Sequence, residues 1–374
     1  MSLDSMKKRI NKRIKDEVAF VLMEDSVSDV ERWVSTGCRE LDYKISNSPK
    51  GGIPIGKITE IAGLEGTGKS LMAMQIMANA QRDGGLAVYI DTEQGLNSDF
   101  AERVGLDISK GFIHVTSITV EDVFILINEI SAELKDMEAE AKKKKVDPEY
   151  KFAVVIWDSV AATNPKADLI AENPDPTSTV ALKPRILSKN VPLLLKTAWK
   201  QNIGFVFINQ LRMIIGAMPG QDKYVSVGGK AIPYYSSLRI RLQSIGKMKD
   251  KSDNSIYGIK TRATVKKTRF GPPLRKAEFP IYFSYGIDNE ESVRDVLSKS
   301  GHIVRVSKGR NGVGYKLKGE TEDCSLPELK HRMRFDKTTK DLIETYLSEV
   351  LVKDLKDPRL IELEVVGEGE AAGE

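Results

Sequence analysis

The 374-residue sequence predicts an α/β fold with a mostly parallel central sheet. Short apolar segments that read as strands buried on both faces alternate with helical segments through the central block. A glycine-rich phosphate-binding pattern follows the first of these strands and begins the next helix. Alternation of this kind favours a parallel sheet covered by helices on both sides. The strand candidates lie at 58–62, 86–90, 152–157 and 203–208.

The first expected element is an amphipathic helix at 7–24, where Ile10, Ile14 and Val18 recur at helical spacing. A single N-terminal helix must bury such a stripe on its own core or on a neighbouring subunit. Residues 25–50 look like an irregular lead-in. The helices of the central block are expected at 70–83, 121–140 and 185–201. The four lysines at 142–145 are expected to be a solvated helix end or loop.

The periodicity changes after residue 236. Leu238, Ile240 and Leu242 alternate with polar residues, a period of two that indicates strands. This segment and the segments 260–267 and 278–283 are expected to extend the sheet as antiparallel strands. From residue 286 a small mixed domain is predicted, with a helix near 290–300, a strand or hairpin at 302–318, and helices near 325–333 and 338–353.

Composition narrows the possible classes of protein. The chain has only two cysteines, which excludes a disulfide framework and a cysteine zinc site, and its three histidines argue against a histidine-rich metal site. No stretch approaches the roughly 18 unbroken apolar residues of a membrane span. The charged N-terminus lacks the apolar region of a secretory signal, so a cytoplasmic protein without a membrane partner is expected.

Charge is unevenly distributed along the chain. The net charge is only +4, yet residues 1–15 are strongly basic and the last eighteen residues hold six acids. A basic body with an acidic tail suggests a polyanionic partner and a tail that competes with it.

The phosphate-binding pattern is G-x-x-x-x-G-K-S/T. Its glycines let successive backbone N–H groups point at phosphate oxygens, at the positive end of a helix. Lys69 is positioned to reach the β- and γ-phosphates, and Ser70 to hold Mg²⁺. The candidate nucleotide-binding residues are Gly63, Glu65, Gly66, Thr67, Gly68, Lys69 and Ser70.

Polar residues follow three of the predicted strands. Because parallel strands present their carboxyl ends at one edge of the sheet, these residues are expected near the phosphates. Asp158 is the expected ligand of Mg²⁺. Asp91 and Glu93 supply a carboxylate that could orient and deprotonate the attacking water. Gln210 offers a neutral amide that could sense the γ-phosphate.

Five ordered motifs resemble the RecA family of homologous recombinases, roughly from residue 30 to 285 and more weakly beyond. The resemblance implies a RecA-type P-loop ATPase core with an N-terminal polymerisation helix and a small α+β C-terminal domain. The implied segments are 1–34, 35–285, 286–355 and an acidic disordered tail at 356–374. The motifs are Ser35-Thr36-Gly37 through the phosphate loop, 89–93, 158–162, 207–213, and 261–279 with Lys267 and Arg269.

The resemblance also implies residue roles. Glu93 falls where the family has its water-activating glutamate, and Phe100 where an aromatic ring stacks on adenine. Gln210 matches the residue that couples the γ-phosphate to DNA binding. Lys267 and Arg269 match two cations that reach a neighbouring subunit's ATP. Arg269 replaces a family lysine, and it keeps the charge while allowing a bidentate grip on phosphate.

Two long loops rich in proline or glycine, at 163–179 and 212–229, correspond to the family's DNA-binding loops. Such loops in a compact domain are usually functional or disordered. The first departs from the family in its prolines and in Lys183-Pro184, and the second carries Ile214 where a basic residue is usual. The implied contacts are Arg185 and Arg212 with phosphates, Met213 and Ile215 with stacked bases, and the N–H groups of Gly228 and Gly229 with phosphate.

The implied activity is DNA-dependent ATP hydrolysis with Mg²⁺, helical filaments on single-stranded DNA, and strand exchange with double-stranded DNA. Single-strand-binding and loader proteins are possible partners, in a bacterial cell or a phage-infected host. Two alternatives stay open. One is a hexameric, ring-shaped helicase or loading motor with the same ATPase core, and the other is a small-molecule kinase built on a phosphate loop.

Overall fold

The protein is described here by a computed structural model that covers residues 3–14, 30–116, 118–170, 182–214, 216, 218, 222–308 and 312–352. The helices are α1 Leu3–Ile14, α2 Arg39–Ser46, α3 Lys69–Arg82, α4 Ser98–Val104, α5 Val120–Lys144, α6 Lys166–Ile170, α7 Leu182–Lys200, α8 Ala231–Tyr235, α9 Asn289–Lys299, α10 Leu326–Phe335 and α11 Lys337–Leu351. The strands are β1 Trp33–Val34, β2 Ile53–Pro54, β3 Ile58–Gly63, β4 Leu86–Asp91, β5 Phe112–Thr116, β6 Ala153–Asp158, β7 Ile203–Met213, β8 Tyr224–Ser226, β9 Leu238–Lys249, β10 Ile256–Thr268, β11 Lys276–Tyr282, β12 Gly286–Ile287, β13 Ile303–Ser307 and β14 Val313–Leu317.

Ten strands form the central sheet, in the order β12-β11-β10-β9-β3-β7-β6-β4-β5, with β8 paired to the far end of β7. The run from β9 to β5 is parallel, whereas β10, β11 and β12 extend it as antiparallel strands. The predicted α/β class with a mostly parallel sheet is therefore confirmed, and so is the antiparallel extension after residue 236.

Both faces of the sheet are covered, which is why its central strands are apolar without alternation. On one face α3 contributes Met72, Ile76 and Met77 to a core that also includes α2. On the other face α5 and α7 pack Ile127 and Leu194 against β6 and β7. The helices thus cover both faces of the sheet, and polar side chains lie at the ends of its strands.

The interpretation of 25–50 as irregular is wrong for its second half, because α2 forms there. This helix is too short and too charged to show a periodic stripe, yet Leu41 and Ile45 are fully buried. Asp42 fixes the preceding turn by accepting hydrogen bonds from Ser35 Oγ at 2.6 Å and Thr36 Oγ1 at 2.7 Å. The motif at Ser35-Thr36-Gly37 is thus a structural turn tied to α2.

Other boundaries differ from the sequence expectations. The N-terminal helix begins at Leu3, and the expected part at 15–24 lies outside the described residues. Helix α4 and strand β5 were not predicted, since α4 is short and most side chains of the edge strand β5 are exposed. Helix α5 continues to Lys144, where Lys142 and Lys144 pair with Glu138 and Glu140, confirming a solvated helix end.

The predicted C-terminal elements are confirmed as α9, the hairpin β13–β14, α10 and α11. They share a core with Tyr43 of α2, and Arg39 of α2 also pairs with Glu344 of α11. The segment boundaries at 34, 285 and 355 stay a prediction, and the acidic tail lies outside the described residues. None of the helices in the described ranges combines the length and apolarity needed to cross a membrane.

Candidate nucleotide and nucleic-acid site

The phosphate loop connects β3 to α3 at the carboxyl edge of the parallel sheet. Strand β3 is buried along its whole length, and its last residue, Gly63, lies beside Gln210 of β7 and Leu242 of β9. Gly68 has φ +90°, and a Cβ there would lie 2.5 Å from Ile281 Cδ1. Only glycine therefore fits at this position, which directly precedes the first residue of α3.

A cavity of about 490 Å³ opens over this loop, and its lining includes Glu93, Asp158 and Gln210 from three neighbouring strand ends. Lys69 Nζ and Thr67 Oγ1 donate hydrogen bonds to the carbonyl oxygen of Leu64, at 2.8 and 2.9 Å. Burial lowers the pKa of Lys69, and the nearby carboxylates oppose that shift. The cavity thus holds a partly desolvated cation where phosphate oxygens can replace the loop carbonyl.

Asp158 ends β6 and is almost fully buried. Burial raises the pKa of this carboxyl, while hydrogen bonds from Ser70 and Tyr89 and the charge of Lys69 act in the opposite direction. Tyr89 Oη donates to Asp158 Oδ2 at 2.9 Å. A carboxylate beside a serine hydroxyl and a phosphate site is the oxygen-rich donor set that suits Mg²⁺, which keeps several waters and takes one or two carboxylates.

The candidate metal site offers few protein ligands. Within the described ranges, no group of three or more His, Cys, Asp and Glu side chains is placed to hold a metal ion. Mg²⁺ bound mostly through phosphate oxygens and water is consistent with such a sparse protein donor set.

The two acids after β4 occupy different environments. Asp91 is 1% exposed and accepts hydrogen bonds from the backbone N–H groups of Gly95 and Leu96, so it closes the turn. Glu93 instead lines the cavity and is exposed. Of the two carboxylates, only Glu93 is therefore open to a water at the γ-phosphate position.

Glu93 is held by two donors on the same oxygen. Ser159 Oγ donates to Glu93 Oε1 at 2.6 Å, and Gln210 Nε2 donates to it at 3.2 Å. The candidate water-activating group and the candidate phosphate sensor are therefore in direct contact. Sequence reasoning assigned no role to Ser159 or Tyr89, although both lie within the motifs at 158–162 and 89–93 that carry the family resemblance.

Phe100 lies in the first turn of α4, where its N–H is capped by Asn97 Oδ1 at 2.8 Å. Its ring packs partly on the core and lies 5.8 Å from the guanidinium carbon of Arg103. The residues that line the phosphate cavity do not include Phe100. Its expected contact with adenine stays a prediction.

Lys267 and Arg269 are not brought to the phosphate loop of their own chain. Lys267 of β10 lies opposite Arg239 of β9, and Arg239 lies opposite Glu60 of β3. Glu60 is three residues before Gly63, where the phosphate loop begins. Lys267 Nζ donates to the carbonyl oxygens of Pro233 and Tyr234, at 3.2 and 2.7 Å. Burial and the charges of Arg269 and Arg239 lower its pKa.

The second candidate DNA loop contacts the first turns of α7. Gly228 and Gly229 both have positive φ, and Cβ atoms there would lie 3.0 Å from Leu187 Cδ1 and 3.2 Å from Pro184 Cβ of α7. The glycines therefore pack on the first turns of α7, which also carry the exposed Arg185.

Strand β7 continues past the cavity into the second loop. Arg212 is exposed, and Met213 is 65% exposed at the end of the strand. The charge of Arg212 also contributes to lowering the pKa of Lys183, for which burial is the main cause. Ile215 and residues 171–179 of the first loop lie outside the described residues.

Comparison with known proteins gives a consistent result. A family model described as the RecA N-terminal domain matches residues 1–288 of the chain. Protein RecA of Syntrophobacter fumaroxidans is 33% identical over 288 residues, covering 77% of this chain and 75% of that protein. Protein RecA of Nitratiruptor sp. is 31% identical over 361 residues, covering 93% and 98%. Protein RecA of Clostridium tetani is 33% identical over 312 residues, covering 80% and 82%.

Proposed function

Because the chain belongs to the RecA family, we propose that it is a DNA-dependent ATPase that forms helical filaments on single-stranded DNA and catalyses homologous pairing and strand exchange. Membership of this family implies ATP binding, DNA binding and self-association. In this proposal, each of the candidate side chains described above has a role in ATP hydrolysis or DNA binding.

One observation carries the proposal: a single strand joins the ATP cavity to the candidate DNA loop. In β7, Gln210 donates to Glu93 at the cavity, and Arg212 and Met213 are exposed two and three residues later. A movement of the loop therefore has only two or three residues of β7 to cross before it reaches Gln210. Through Gln210 it can shift Glu93, the carboxylate at the expected γ-phosphate position.

At the cavity, the loop from Gly63 to Ser70 binds the phosphates of ATP, with Lys69 on the β- and γ-phosphates. Ser70 and Asp158 hold Mg²⁺, which offsets the charge of the phosphates when it is bound. Glu93 accepts a proton from the attacking water, and Gln210 reports whether a γ-phosphate is present. Phe100 stacks on the adenine.

Hydrolysis is completed by a second copy of the chain. Lys267 and Arg269 lie beyond reach of their own phosphate loop, so they act on the ATP of a neighbouring subunit and stabilise the charge of the transition state. The N-terminal helix packs on a neighbouring copy, in line with the exposed apolar side chains Met6 and Ile14 on α1.

DNA is gripped through its backbone. Arg185, Arg212 and the N–H groups of Gly228 and Gly229 contact phosphates, and Met213 with Ile215 separates stacked bases. Contacts of this kind fix position and shape without reading sequence, so base pairing with a duplex supplies the specificity. The C-terminal elements help to capture duplex DNA, and the acidic tail restrains that step.

The test combines ATP turnover with imaging. We expect turnover to require single-stranded DNA, helical filaments to appear by electron microscopy with a non-hydrolysable ATP analogue, and joint molecules to form with homologous duplex. Closed rings that unwind a forked duplex would instead identify a helicase or loading motor. Turnover indifferent to DNA, by a monomer or dimer, would identify a small-molecule kinase.

A further inference from the structure

A closed ring of polar contacts lies inside the sheet, just below the ATP cavity. Glu60 Oε2 accepts from Arg239 Nε at 2.6 Å, and Glu60 Oε1 accepts from Asn209 Nδ2 at 3.1 Å. Asn209 Nδ2 also donates to the carbonyl oxygen of Val227 at 2.9 Å. The ring closes where Arg239 Nη2 donates to Ser226 Oγ at 3.5 Å.

Most of the ring is buried, yet it contains a charged pair, and charged side chains are rare in the interior of a protein. Glu60 is 1% exposed and Asn209 is 0% exposed, while the Arg239 side chain is 27% exposed. Buried ion pairs contribute little net stability because desolvation offsets their attraction, but breaking one side is costly. Such a pair therefore fixes relative positions more than it raises the free energy of unfolding.

Asn209 also carries an unused hydrogen-bonding atom. Its Oδ1 is buried and has no partner among the described residues. A buried amide oxygen without a protein donor leaves the ring one acceptor short of full pairing.

Each member of the ring is attached to a different part of the proposed machinery. Glu60 lies three residues before Gly63 on the phosphate-loop strand, and Asn209 directly precedes Gln210. Arg239 is in register with Lys267. Val227 directly precedes Gly228 and Gly229 of the candidate DNA loop, and its N–H donates to the carbonyl oxygen of Gln210 at 3.2 Å.

We propose that Glu60, Asn209 and Arg239 are positioning residues that couple the DNA loop to the ATP site. The inference rests on the proposed function. When DNA moves the β7–β8 hairpin, Val227 and Ser226 move with it, and the ring passes that shift to three places at once. These places are Gln210 with its contact to Glu93, the phosphate-loop strand, and the strand that carries Lys267.

The test uses variants that keep the size of each side chain. Asn209→Leu removes the amide from the ring and leaves Glu60 Oε1 and the Val227 carbonyl oxygen without that donor, so the melting temperature is measured beside the activity. Glu60→Gln keeps the shape but removes the charge that holds Arg239. The measured quantity is the stimulation ratio, the turnover number with single-stranded DNA divided by the turnover number without it.

We expect each variant to lower this ratio about tenfold, the size of a typical coupling between sites. ATP binding without DNA stays unchanged. The double variant loses no more than one single variant, because both changes break the same ring. A matched control is Glu344→Gln, which breaks the partly buried Arg39–Glu344 pair far from the cavity and leaves the ratio unchanged.

Several outcomes overturn the inference. A ratio that stays at the wild-type value in both variants contradicts it, as does a parallel loss of ATP binding, DNA binding and melting temperature. Losses that multiply in the double variant show two independent effects. A wild-type protein whose turnover ignores DNA refutes the proposed function itself, so the two failures are distinguishable.

Discussion

Lys267 offers the sharpest test of hydrolysis between subunits, because its place in the sheet rules out action on its own ATP. Its backbone lies level with Glu60, two strands away, while the phosphate loop starts at Gly63. Three residues span ~10 Å along a strand and two strand spacings add ~10 Å across it, a separation of ~14 Å. A lysine side chain extends only about 6 Å.

Replacing Lys267 with alanine should therefore leave ATP binding by free subunits intact and abolish DNA-stimulated turnover. Cations supplied from a second subunit are worth about 10³–10⁵ in rate in related phosphoryl transfer, or about 4–7 kcal/mol of barrier. The assay is steady-state ATP turnover on saturating single-stranded DNA, with nucleotide affinity measured separately on DNA-free protein.

Lys266 provides the matched control. It is the preceding residue on the same strand, and its Nζ pairs with Asp222 at 2.9 Å near the surface. Because such pairs are worth about 0–1 kcal/mol, Lys266→Ala should change turnover only slightly. Equal losses in the two variants, or weaker ATP binding by DNA-free Lys267→Ala, would refute the geometric reasoning.

Three other substitutions probe the site. Glu93→Gln should retain ATP and DNA binding but slow single-turnover hydrolysis about 10²–10⁴-fold, and rapid hydrolysis would remove its role as base. Burial raises the pKa of Asp158, so its charged form costs stability at neutral pH; that cost declines as pH falls below the raised pKa and is gone below the ordinary pKa of the carboxyl. Asp158→Asn should thus raise the melting temperature of the nucleotide-free protein at pH 7, and raise it less at acidic pH, while losing Mg²⁺-dependent turnover; a lower melting temperature in calorimetry would contradict this. Arg212→Ala should reduce the slope of log affinity against log salt on single-stranded DNA by about 0.7, and an unchanged slope would exclude a phosphate contact.

Much of the fold was predictable because the strands of the parallel sheet are continuously apolar and the phosphate loop has a distinctive pattern. Gly63 to Ser70, and the acids that follow β4 and β6, could be placed at one edge from topology alone. The edge strand β5 could not, since its side chains are mostly exposed and carry no alternation. Short α2 and α4 lack room for a periodic stripe.

The contacts between side chains of the site depend on how neighbouring strands are paired. That register cannot be read from single residues in the sequence. Position at the end of β4 could not separate Asp91 from Glu93; the family resemblance pointed to Glu93, and burial of Asp91 supplies the physical reason. Glu60 and Asn209 are polar residues in the buried parts of β3 and β7, and nothing in either segment indicates its partner. The distance of Lys267 from its own phosphate loop likewise emerges only from pairing across three strands.

The most direct test of hydrolysis between subunits is a mixing experiment with Lys69→Ala and Lys267→Ala. Each variant alone should be inactive on DNA, the first for lack of bound ATP and the second for lack of the neighbour's cation. In an equal mixture that co-assembles head to tail, about a quarter of the seams join an intact ATP site to an intact Lys267. We predict turnover at about a quarter of the wild-type rate per subunit; a co-assembled mixture that stays inactive would contradict hydrolysis between subunits.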